Sequence, residues 1–191
     1  KSDAVGQFNS PSGPFHPQAL VNAAEKLPDA LQAKLIWLRL PSPHLRNTAF
    51  AELIEDIPDS VEWHSEAQTQ RLLSLMAPLH RAKVEAAQKS GRKMVGGLYR
   101  RTRRDADGLK VQRAEVRFDN IAGCLRTPSG GSSRQTLLIV EGATIRSRLI
   151  STRETARLMG LDDSYVLPER YNDAYHLTGD GVVVPVVRHL A

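Results

Sequence analysis

Met94-Val-Gly-Gly-Leu-Tyr99 is the first of three short runs with the apolar and β-branched composition of strands; the others are Lys110-Val-Gln-Arg-Ala-Glu-Val-Arg-Phe118 and Gln135-Thr-Leu-Leu-Ile-Val140. Asp105-Ala-Asp-Gly108 lies between the first two runs, and its glycine supplies the positive φ that a hairpin reversal needs. The middle of the chain is therefore predicted to fold as a small twisted sheet that contains a hairpin.

The N-terminal part of the chain carries weaker signals for two helices and one strand. Gln18–Lys26 has helix-forming composition and is ended by Pro28. Leu35–Leu40 is a short apolar run followed by prolines, which favours a strand. Asn47 can cap a helix that runs to about Asp56, because its side chain can accept a bond from a first-turn N–H group.

A longer helical region is predicted between these elements and the sheet. Ser65 and Gln68 form a capping-box pattern, Pro78 predicts a kink or a restart, and Gly91 supplies a C-cap. The apolar residues of this region recur at helical spacing and are predicted to lie in the core: Leu72, Leu73, Leu75 and Met76.

Two more helices are predicted near the C-terminus. Ser151 and Glu154 form a second capping box, which begins a helix that Gly160 ends. Val182–Leu190 is predicted to be the last helix, with Pro185 tolerated in its first turn.

Charge divides the chain into three segments. Residues 1–91 carry 9 basic and 10 acidic side chains, residues 92–148 carry 13 and 5, and residues 149–191 carry 4 and 6. The excess of cations in the middle segment favours a polyanionic partner, because each neutralised phosphate releases condensed counterions. A solvated basic surface is the alternative. We predict a helical, variable segment (1–91), a basic β-rich core (92–148) and C-terminal helices (149–191).

Cysteine, histidine and apolar patterns exclude several classes of protein. Cys124 is the only cysteine, so no internal disulfide can form, and a reducing cytoplasm is expected. The six histidines lack a spacing such as His-x-x-x-His, so no metal is expected. No run approaches the roughly 18–20 apolar residues of a membrane span, and no membrane partner is expected. The first residue is not Met, which suggests a piece of a longer polypeptide.

The densest cationic cluster is Arg100-Arg-Thr-Arg-Arg104, and Lys110 and Arg113 follow it across the predicted turn. Because alternate residues of a strand point to opposite faces, Arg101 and Arg103 share one face, while the other residues of the cluster share the opposite one. Arg101 and Arg103 are therefore candidate phosphate contacts.

The segment Asp119–Gln135 alternates small polar residues with glycines between two predicted strands. Glycines allow backbone N–H groups to approach a phosphate or a base edge, and the arginine and glutamine side chains add donors. An ordinary Gly/Ser loop is the alternative. The candidate DNA contacts of this segment are Arg126, Thr127, Ser129, Gly130, Gly131, Arg134 and Gln135.

Cys124 lies in the same segment, and a lone cysteine raises the question of a nucleophile. A reactive thiol needs a neighbouring base or a helix N-terminus, and neither is evident beside Gly123-Cys-Leu125. We expect Cys124 to be a small, semi-buried residue without a catalytic role.

Two blocks occupy the last fifth of the chain: Ser151-Thr-Arg-Glu-Thr-Ala-Arg-Leu-Met-Gly160 and Ala174-Tyr-His-Leu-Thr-Gly-Asp-Gly-Val-Val-Val-Pro-Val-Val187. They resemble the two C-terminal signature blocks of the DNA (cytosine-5) methyltransferases, an Arg-Glu-x-x-Arg-Leu-x-Gly helix block and a Gly-Asn-x-Val-x-x-x-Val block. The resemblance implies an α+β fold: a small, mostly β target-recognition domain with flanking helices, and C-terminal helices that complete a Rossmann-like methyltransferase domain.

The resemblance also implies roles for single residues. Cys124-Leu125 takes the place of the family's Thr-Leu dipeptide. Ser129-Gly130-Gly131 takes the place of the family's glycine run, which approaches DNA beside the flipped cytosine. Arg153 matches an arginine that approaches the target strand. The segment that borders S-adenosyl-L-methionine in the family is matched by Gly179, Asp180, Gly181 and Val182. The family usually has Asn where this chain has Asp180, and Asp keeps an acceptor but loses the amide donors.

The implied reaction is transfer of a methyl group from S-adenosyl-L-methionine to a cytosine that is flipped out of duplex DNA and attacked by a thiolate. The family's Pro-Cys-Gln loop, Phe-x-Gly-x-Gly turn and Glu-Asn-Val strand do not occur in this sequence. We therefore expect the DNA-reading part of such an enzyme, inactive alone. Its expected partners are double-stranded DNA and an N-terminal catalytic half, supplied in cis or in trans.

Two other interpretations stay open. Thr155-Ala-Arg-Leu-Met-Gly160 has the Ala-x-x-x-Gly spacing of helix-turn-helix regulators, but the sequence after Gly160 is acidic and is stopped by Pro168, which makes a poor recognition helix. The chain can also be the natural small subunit of a split methyltransferase.

Overall fold

The computed structural model describes residues 6–8, 15–44, 48–125 and 134–191, and the chain divides into two compact units. The first unit comprises residues 1–46 with 189–191, and the second comprises residues 47–188. The three-segment division at residues 91 and 148 stays a prediction; parts of all three segments lie in the second unit. No helix among the described residues is long and apolar enough to cross a membrane.

The first unit contains a two-stranded sheet and two short helices. Strands β1 (Gly6–Phe8) and β2 (Trp37–Arg39) are antiparallel, and helices α1 (Gln18–Glu25) and α2 (Asp29–Gln32) lie between them in the chain. Each helix directly follows a proline whose fixed φ suits the residue before a helix. The helix predicted at Gln18 and the strand predicted within residues 35–40 are both confirmed.

The second unit is built on a four-stranded antiparallel sheet in the spatial order β4-β3-β5-β6. Its strands are β3 (Met94–Arg104), β4 (Lys110–Arg117), β5 (Thr136–Glu141) and β6 (Thr144–Leu149). The three predicted strands are confirmed, and β6 was not predicted. Gly108 (φ 78°) and Gly142 (φ 56°) lie in the turns of its two hairpins, where the left-handed backbone favours glycine.

Helices cover both faces of this sheet. A 3₁₀ helix (Phe50–Leu53), α3 (Glu66–Ser74) and α4 (Pro78–Lys89) precede it, and α5 (Thr152–Leu158), α6 (Tyr171–Asp180) and α7 (Val184–Leu190) follow it. The capping boxes predicted at Ser65 and Ser151 are both formed. Pro78 begins a new helix, because a proline is tolerated at the first helical position but not inside a helix.

Two hydrophobic cores lie on opposite faces of the sheet. Leu138 and Val140 of β5 belong to the core under α3 and α4, whereas Leu137 and Ile139 belong to the core that contains Tyr175 of α6. β5 is therefore a continuous apolar run, since both of its faces are buried. The predicted helical stripe belongs to the first core, with Met76 buried and Leu72, Leu73 and Leu75 packed against it.

The helix predicted from Asn47 to Asp56 is wrong. Asn47 lies outside the described residues, and the described part forms one 3₁₀ turn that ends at Leu53. The backbone beyond it is engaged by distant partners: the N–H group of Glu55 donates to Glu154, and its carbonyl accepts from Arg148. Those contacts hold Ile54 in an extended conformation and end the helix.

The C-terminal helices meet at a glycine. Gly160 ends α5 with a φ of 76°, as predicted for a C-cap. A Cβ atom on Gly160 would overlap the ring of Pro185 in the first turn of α7. The N–H group of Val184 donates to the carbonyl of Met159 at 2.9 Å, so both residues hold the start of α7 against the end of α5.

Candidate nucleic-acid interface

The predicted arginines lie on the outer half of the β3–β4 hairpin. Arg101 and Arg103 share a face, as their alternation predicts, and both guanidinium groups contact Glu115 of β4. The distances to the Glu115 carboxylate are 3.4 Å from Arg101 Nε and 2.6 Å from Arg103 Nη2. These contacts are largely exposed, so they hold the side chains in place without removing them from solvent.

On the opposite face of the same hairpin, the hydrogen-bond acceptors are neutral groups. Gln112 Nε2 donates to Thr102 Oγ1 at 2.8 Å, and Arg104 Nη1 donates to the carbonyl of Gly108 at 2.9 Å. Neither bond uses a carboxylate. Both faces of the hairpin therefore present cations to solvent, and Glu115 offsets part of the charge on the Arg101 face.

Tyr99 was missed as a member of the arginine face. It lies two residues before Arg101, whose guanidinium is 5.7 Å from the centre of the Tyr99 ring. Burial raises the pKa of the Tyr99 hydroxyl, so this group stays a hydrogen-bond donor at neutral pH. The period of two along β3 is the sequence signal that could have identified it.

Only part of the predicted recognition loop lies within the described residues. Arg126, Thr127, Ser129, Gly130 and Gly131 lie outside them. The loop begins with Asp119, which pairs with Arg117, and with Asn120, whose φ is 58°. Arg117 lowers the pKa of the Asp119 carboxyl through a hydrogen bond. The loop is therefore anchored at the end of β4 by an ion pair.

Gly123 lies where the loop passes the sheet. A Cβ atom at this position would be 2.6 Å from Tyr99 Cζ and 2.7 Å from Gln135 Nε2. Contacts that short do not occur between real side chains, so position 123 accepts only glycine without a rearrangement. Gln135 itself is 3% exposed, and Tyr175 Oη accepts a bond from its backbone N–H group at 3.3 Å.

Arg134 is held by the first turn of α6. Its Nη2 donates to Asn172 Oδ1 at 2.5 Å, and its guanidinium is 5.5 Å from the centre of the Tyr171 ring. The same residues line an open cavity of about 360 Å³ together with Ser60, Val61, Glu62, His64 and Leu149. This arrangement was not predicted, because no separate helix was expected at residues 171–180.

Cys124 is exposed, so the expectation of a semi-buried residue is wrong. Its Sγ lies 3.4 Å from the carbonyl of Leu125. Its neighbour Leu125 packs against the core on this face of the sheet. Its surroundings contain no helix N-terminus within the described part of the loop.

The block after Ser151 contains a buried ion pair. Arg148 and Glu154 are both completely buried, and they are joined by two hydrogen bonds of 2.5 and 2.8 Å. Glu154 also accepts from the backbone N–H groups of Glu55 and Ser151, each at 2.7 Å. The glutamate of the Arg-Glu-x-x-Arg-Leu pattern therefore fastens α5 to the sheet and to the segment before it.

The two arginines of this block are engaged with the loop after α5. Arg157 forms an ion pair with Asp163 and donates to the carbonyl of Leu53, whereas Arg153 donates to the carbonyls of Asp162 and Tyr165. Arg153 is partly exposed. Its guanidinium is thus positioned at the molecular surface by backbone acceptors.

The four predicted cofactor residues lie at the end of α6. Gly179 and Asp180 form its last turn, and Gly181 and Val182 follow it. Gly181 and Val182 line a cavity of about 200 Å³ whose other lining residues are Met159, Leu161, Tyr165, Leu177, Thr178 and Val184. Pockets that bury a drug-sized ligand measure roughly 300–1,000 Å³. The cavity beside Gly181 and Val182 is smaller than that range, and Gly179 and Asp180 are not among its lining residues.

Two further expectations concern a recognition helix after Gly160 and a metal site. Residues 161–170, all of them described, contain turns and bends but no helix, so a helix-turn-helix recognition helix is not present there. Within the described ranges, no group of three or more His, Cys, Asp or Glu side chains is arranged to hold a metal ion.

Comparison with known proteins identifies the family. The family model described as C-5 cytosine-specific DNA methylase matches residues 24–191, which is most of the chain. No curated protein and no solved structure matches the chain. The chain therefore belongs to the C-5 cytosine-specific DNA methylases.

Proposed function

We propose that this chain is the DNA-recognition part of an S-adenosyl-L-methionine-dependent DNA cytosine-5 methyltransferase. Its sheet carries the basic hairpin and the recognition loop, and its C-terminal helices complete a Rossmann-like catalytic domain. The observation that carries the proposal is the position of Tyr99, Arg101 and Arg103, whose side chains share one face of β3 beside the loop at Gly123.

DNA contacts divide into two groups by position. Arg101 and Arg103 reach phosphates from the exposed hairpin, where Glu115 can be exchanged for a phosphate oxygen at little cost because the ion pairs are exposed. Discrimination between sequences comes from the loop, through Arg126, Thr127, Ser129, Gly130, Gly131 and Arg134. Gln135, which is buried just before β5, supports the loop. Arg153 approaches the target strand from α5.

The cofactor supplies the methyl group. The residues that border the cofactor are Gly179, Asp180, Gly181 and Val182. The apolar residues that line the cavity beside Gly181 form one side of this site. A side chain at position 181 would be crowded, because a Cβ atom there would lie 3.0 Å from the carbonyl of Leu177. The carboxylate of Asp180 is exposed and can accept hydrogen bonds, but it cannot donate them as an Asn would.

The nucleophile and the main cofactor turn come from another segment, in the same polypeptide or in a partner. Cys124 is the only thiol of this sequence and lies in the recognition loop. Exposed apolar side chains surround the end of α6 and the start of α7, where they can pack against that segment: Leu177, Val182, Val183, Val186 and Val187.

The salt dependence of DNA binding tests this proposal. The chain should bind duplex DNA with an affinity that falls steeply between about 50 and 200 mM salt, and Arg101→Ala or Arg103→Ala should each lower the slope by about 0.9. Lys89→Ala removes one positive charge from the last turn of α4, beside Gln88, whose side chain donates to Ala143 in the β5–β6 turn at the other end of the sheet. This control should leave the slope unchanged. An affinity that does not depend on salt would contradict the proposal.

A further inference from the structure

Gln135 is a buried polar residue whose side chain has no hydrogen-bond partner among the described residues. It is 3% exposed, and neither Oε1 nor Nε2 of its amide is bonded to any part of residues 6–8, 15–44, 48–125 or 134–191. Its backbone is fully engaged, since its N–H group donates to Tyr175 Oη and its carbonyl accepts from Ile150 at 3.0 Å. The missing bonds are therefore confined to the side-chain amide.

An unpaired buried amide opposes folding. Burying such a group without a partner costs free energy, and proteins pair nearly all of their buried polar atoms. A leucine or methionine of similar volume would fill the same space without that cost. The amide therefore needs an explanation other than the stability of the free protein.

The amide lies against the backbone of the recognition loop. Gly123 has no Cβ atom, and a Cβ placed there would be 2.7 Å from Gln135 Nε2. The peptide groups on either side of Gly123 offer N–H donors and carbonyl acceptors, and an amide side chain can bond to both kinds of group. Among the described residues, the amide lies beside these peptide groups but is not bonded to them.

We propose that Gln135 is a positioning residue for DNA recognition, whose amide binds the peptide groups beside Gly123 when DNA engages the loop. This inference rests on the proposed function, because it takes DNA to be the partner that binds the loop. The amide acts through the loop and does not touch a base. In the free protein it is left unpaired, and the free protein is correspondingly less stable.

According to the proposal, removing the Gln135 amide raises the stability of the free chain and lowers its affinity for DNA. Gln135→Met keeps the size of the side chain and removes the amide, so the free chain should melt about 2–4 °C higher. Its affinity for a pool of random-sequence duplex DNA should fall about three- to tenfold, because the loop no longer gains its hydrogen bonds. Gln88→Met, the same change on α4, is the matched control and should reproduce neither effect.

Hydrogen–deuterium exchange of residues 119–125 reports directly on the loop. Adding the duplex pool should slow exchange in this segment of the unsubstituted chain and of Gln88→Met, but not of Gln135→Met. Gln135→Leu, which also lacks the amide, should behave like Gln135→Met and guards against an effect specific to methionine. A base contact would instead weaken binding while leaving the DNA-induced protection in place, and it would overturn the proposal.

Two other results would also overturn it. If Gln135→Met and Gln135→Leu both melt at a lower temperature than the unsubstituted chain, the amide stabilises the free protein and is already paired there. If both bind DNA with unchanged affinity and unchanged protection, Gln135 has no part in recognition. A failure of the proposed function looks different, because the unsubstituted chain itself would then show no salt-dependent binding to the duplex pool.

Discussion

At the scale of single residues, the ion pair of Arg148 and Glu154 has the largest structural consequence. Both side chains are completely buried, and Glu154 accepts two backbone N–H groups besides the arginine. Taking two charges out of water is costly, and only full pairing with additional hydrogen bonds offsets it. The pair therefore fixes how α5, β6 and the segment at Glu55 fit together.

Removing one partner of this pair should be severe. Glu154→Gln leaves the charge of Arg148 buried without a counter-ion, and we expect the free energy of unfolding to fall by about 3–5 kcal/mol. Urea denaturation of the purified chain measures this change. Asp163→Asn breaks the exposed pair with Arg157 in the same block and should move the urea midpoint very little. Equal effects of the two substitutions would contradict the role given to burial.

His64 should make stability depend on pH. Burial, assisted by the positive charge of Arg100, lowers the pKa of His64, whose Nδ1 is 2.9 Å from Ser147 Oγ. Below about pH 6.5 the unfolded chain takes up a proton on this residue that the folded chain does not, so stability is lost as pH falls. Above that pH the two states carry the same charge on His64 and the effect is absent.

The measurement is urea denaturation across a pH series. His64→Asn keeps an amide that can bond to Ser147 but cannot titrate, so the variant should lose less stability than the unsubstituted chain between about pH 7 and pH 5. The contribution of all other titrating groups is common to both proteins. Parallel stability curves for the two would rule out His64 as a source of the pH dependence.

At the scale of elements, local sequence patterns were sufficient to predict several of the helices and most strands of the large sheet. The capping boxes at Ser65 and Ser151 located two helices, and apolar composition located three strands of the large sheet. β6 was missed because it carries Arg146 and Arg148. A buried arginine in a strand has no local signature, since its partner Glu154 comes from the next helix.

The candidate site was less predictable than the fold. The alternation along β3 was sufficient to place Arg101 and Arg103 on one face. Helix α6 was not predicted, although Tyr171, Ala174, Tyr175 and Thr178 recur at helical spacing. The contacts of Arg134 with Asn172 and Tyr171 therefore had no sequence signal, because they require α6 and β5 to meet.

Gly160 should be essential for docking the last two helices. Gly160→Ala introduces both a side chain in the left-handed region and an overlap with the Pro185 ring. Gly142→Ala has a similar backbone, with a φ of 56°, but an added Cβ there meets no atom within 4 Å. We expect Gly142→Ala to cost about 1–2 kcal/mol, and Gly160→Ala to cost clearly more.

Urea denaturation compares the two variants directly. The difference between them isolates the contact with Pro185, since the backbone strain is common to both. If Gly160→Ala costs no more than Gly142→Ala, α7 does not depend on close approach at Gly160. Such a result would also remove the reason given for a glycine at the end of this signature block.

At the scale of the whole molecule, the apolar side chains at the C-terminus are the main feature that the fold leaves unexplained. Val182 is 68% exposed, Val186 50% and Val187 48%, although valine is among the residues most often buried. Grouped exposed apolar residues mark a surface that another protein segment covers. The proposed function assigns that segment to the catalytic part of the methyltransferase.

The corresponding prediction is complementation of methyl transfer. This chain alone should incorporate no tritiated methyl group into duplex DNA, because its only thiol lies in the recognition loop. Mixing it with a polypeptide that carries the family's Pro-Cys-Gln loop and cofactor turn should restore incorporation. Cys124→Ser should keep most of the restored activity, whereas replacing the cysteine of the added polypeptide should abolish it.

The apolar surface can be tested in the same assay. Val186→Ser combined with Val187→Ser should lower the restored activity at limiting concentrations of the added polypeptide, because binding between the two parts loses buried apolar area. The fold should be unaffected, since both valines are exposed in this chain. Leu79→Ser changes a 67% exposed residue of α4, which packs on the opposite face of the sheet, and should leave activity unchanged. Strong incorporation by this chain alone, lost in Cys124→Ser, would instead place the nucleophile in the recognition loop.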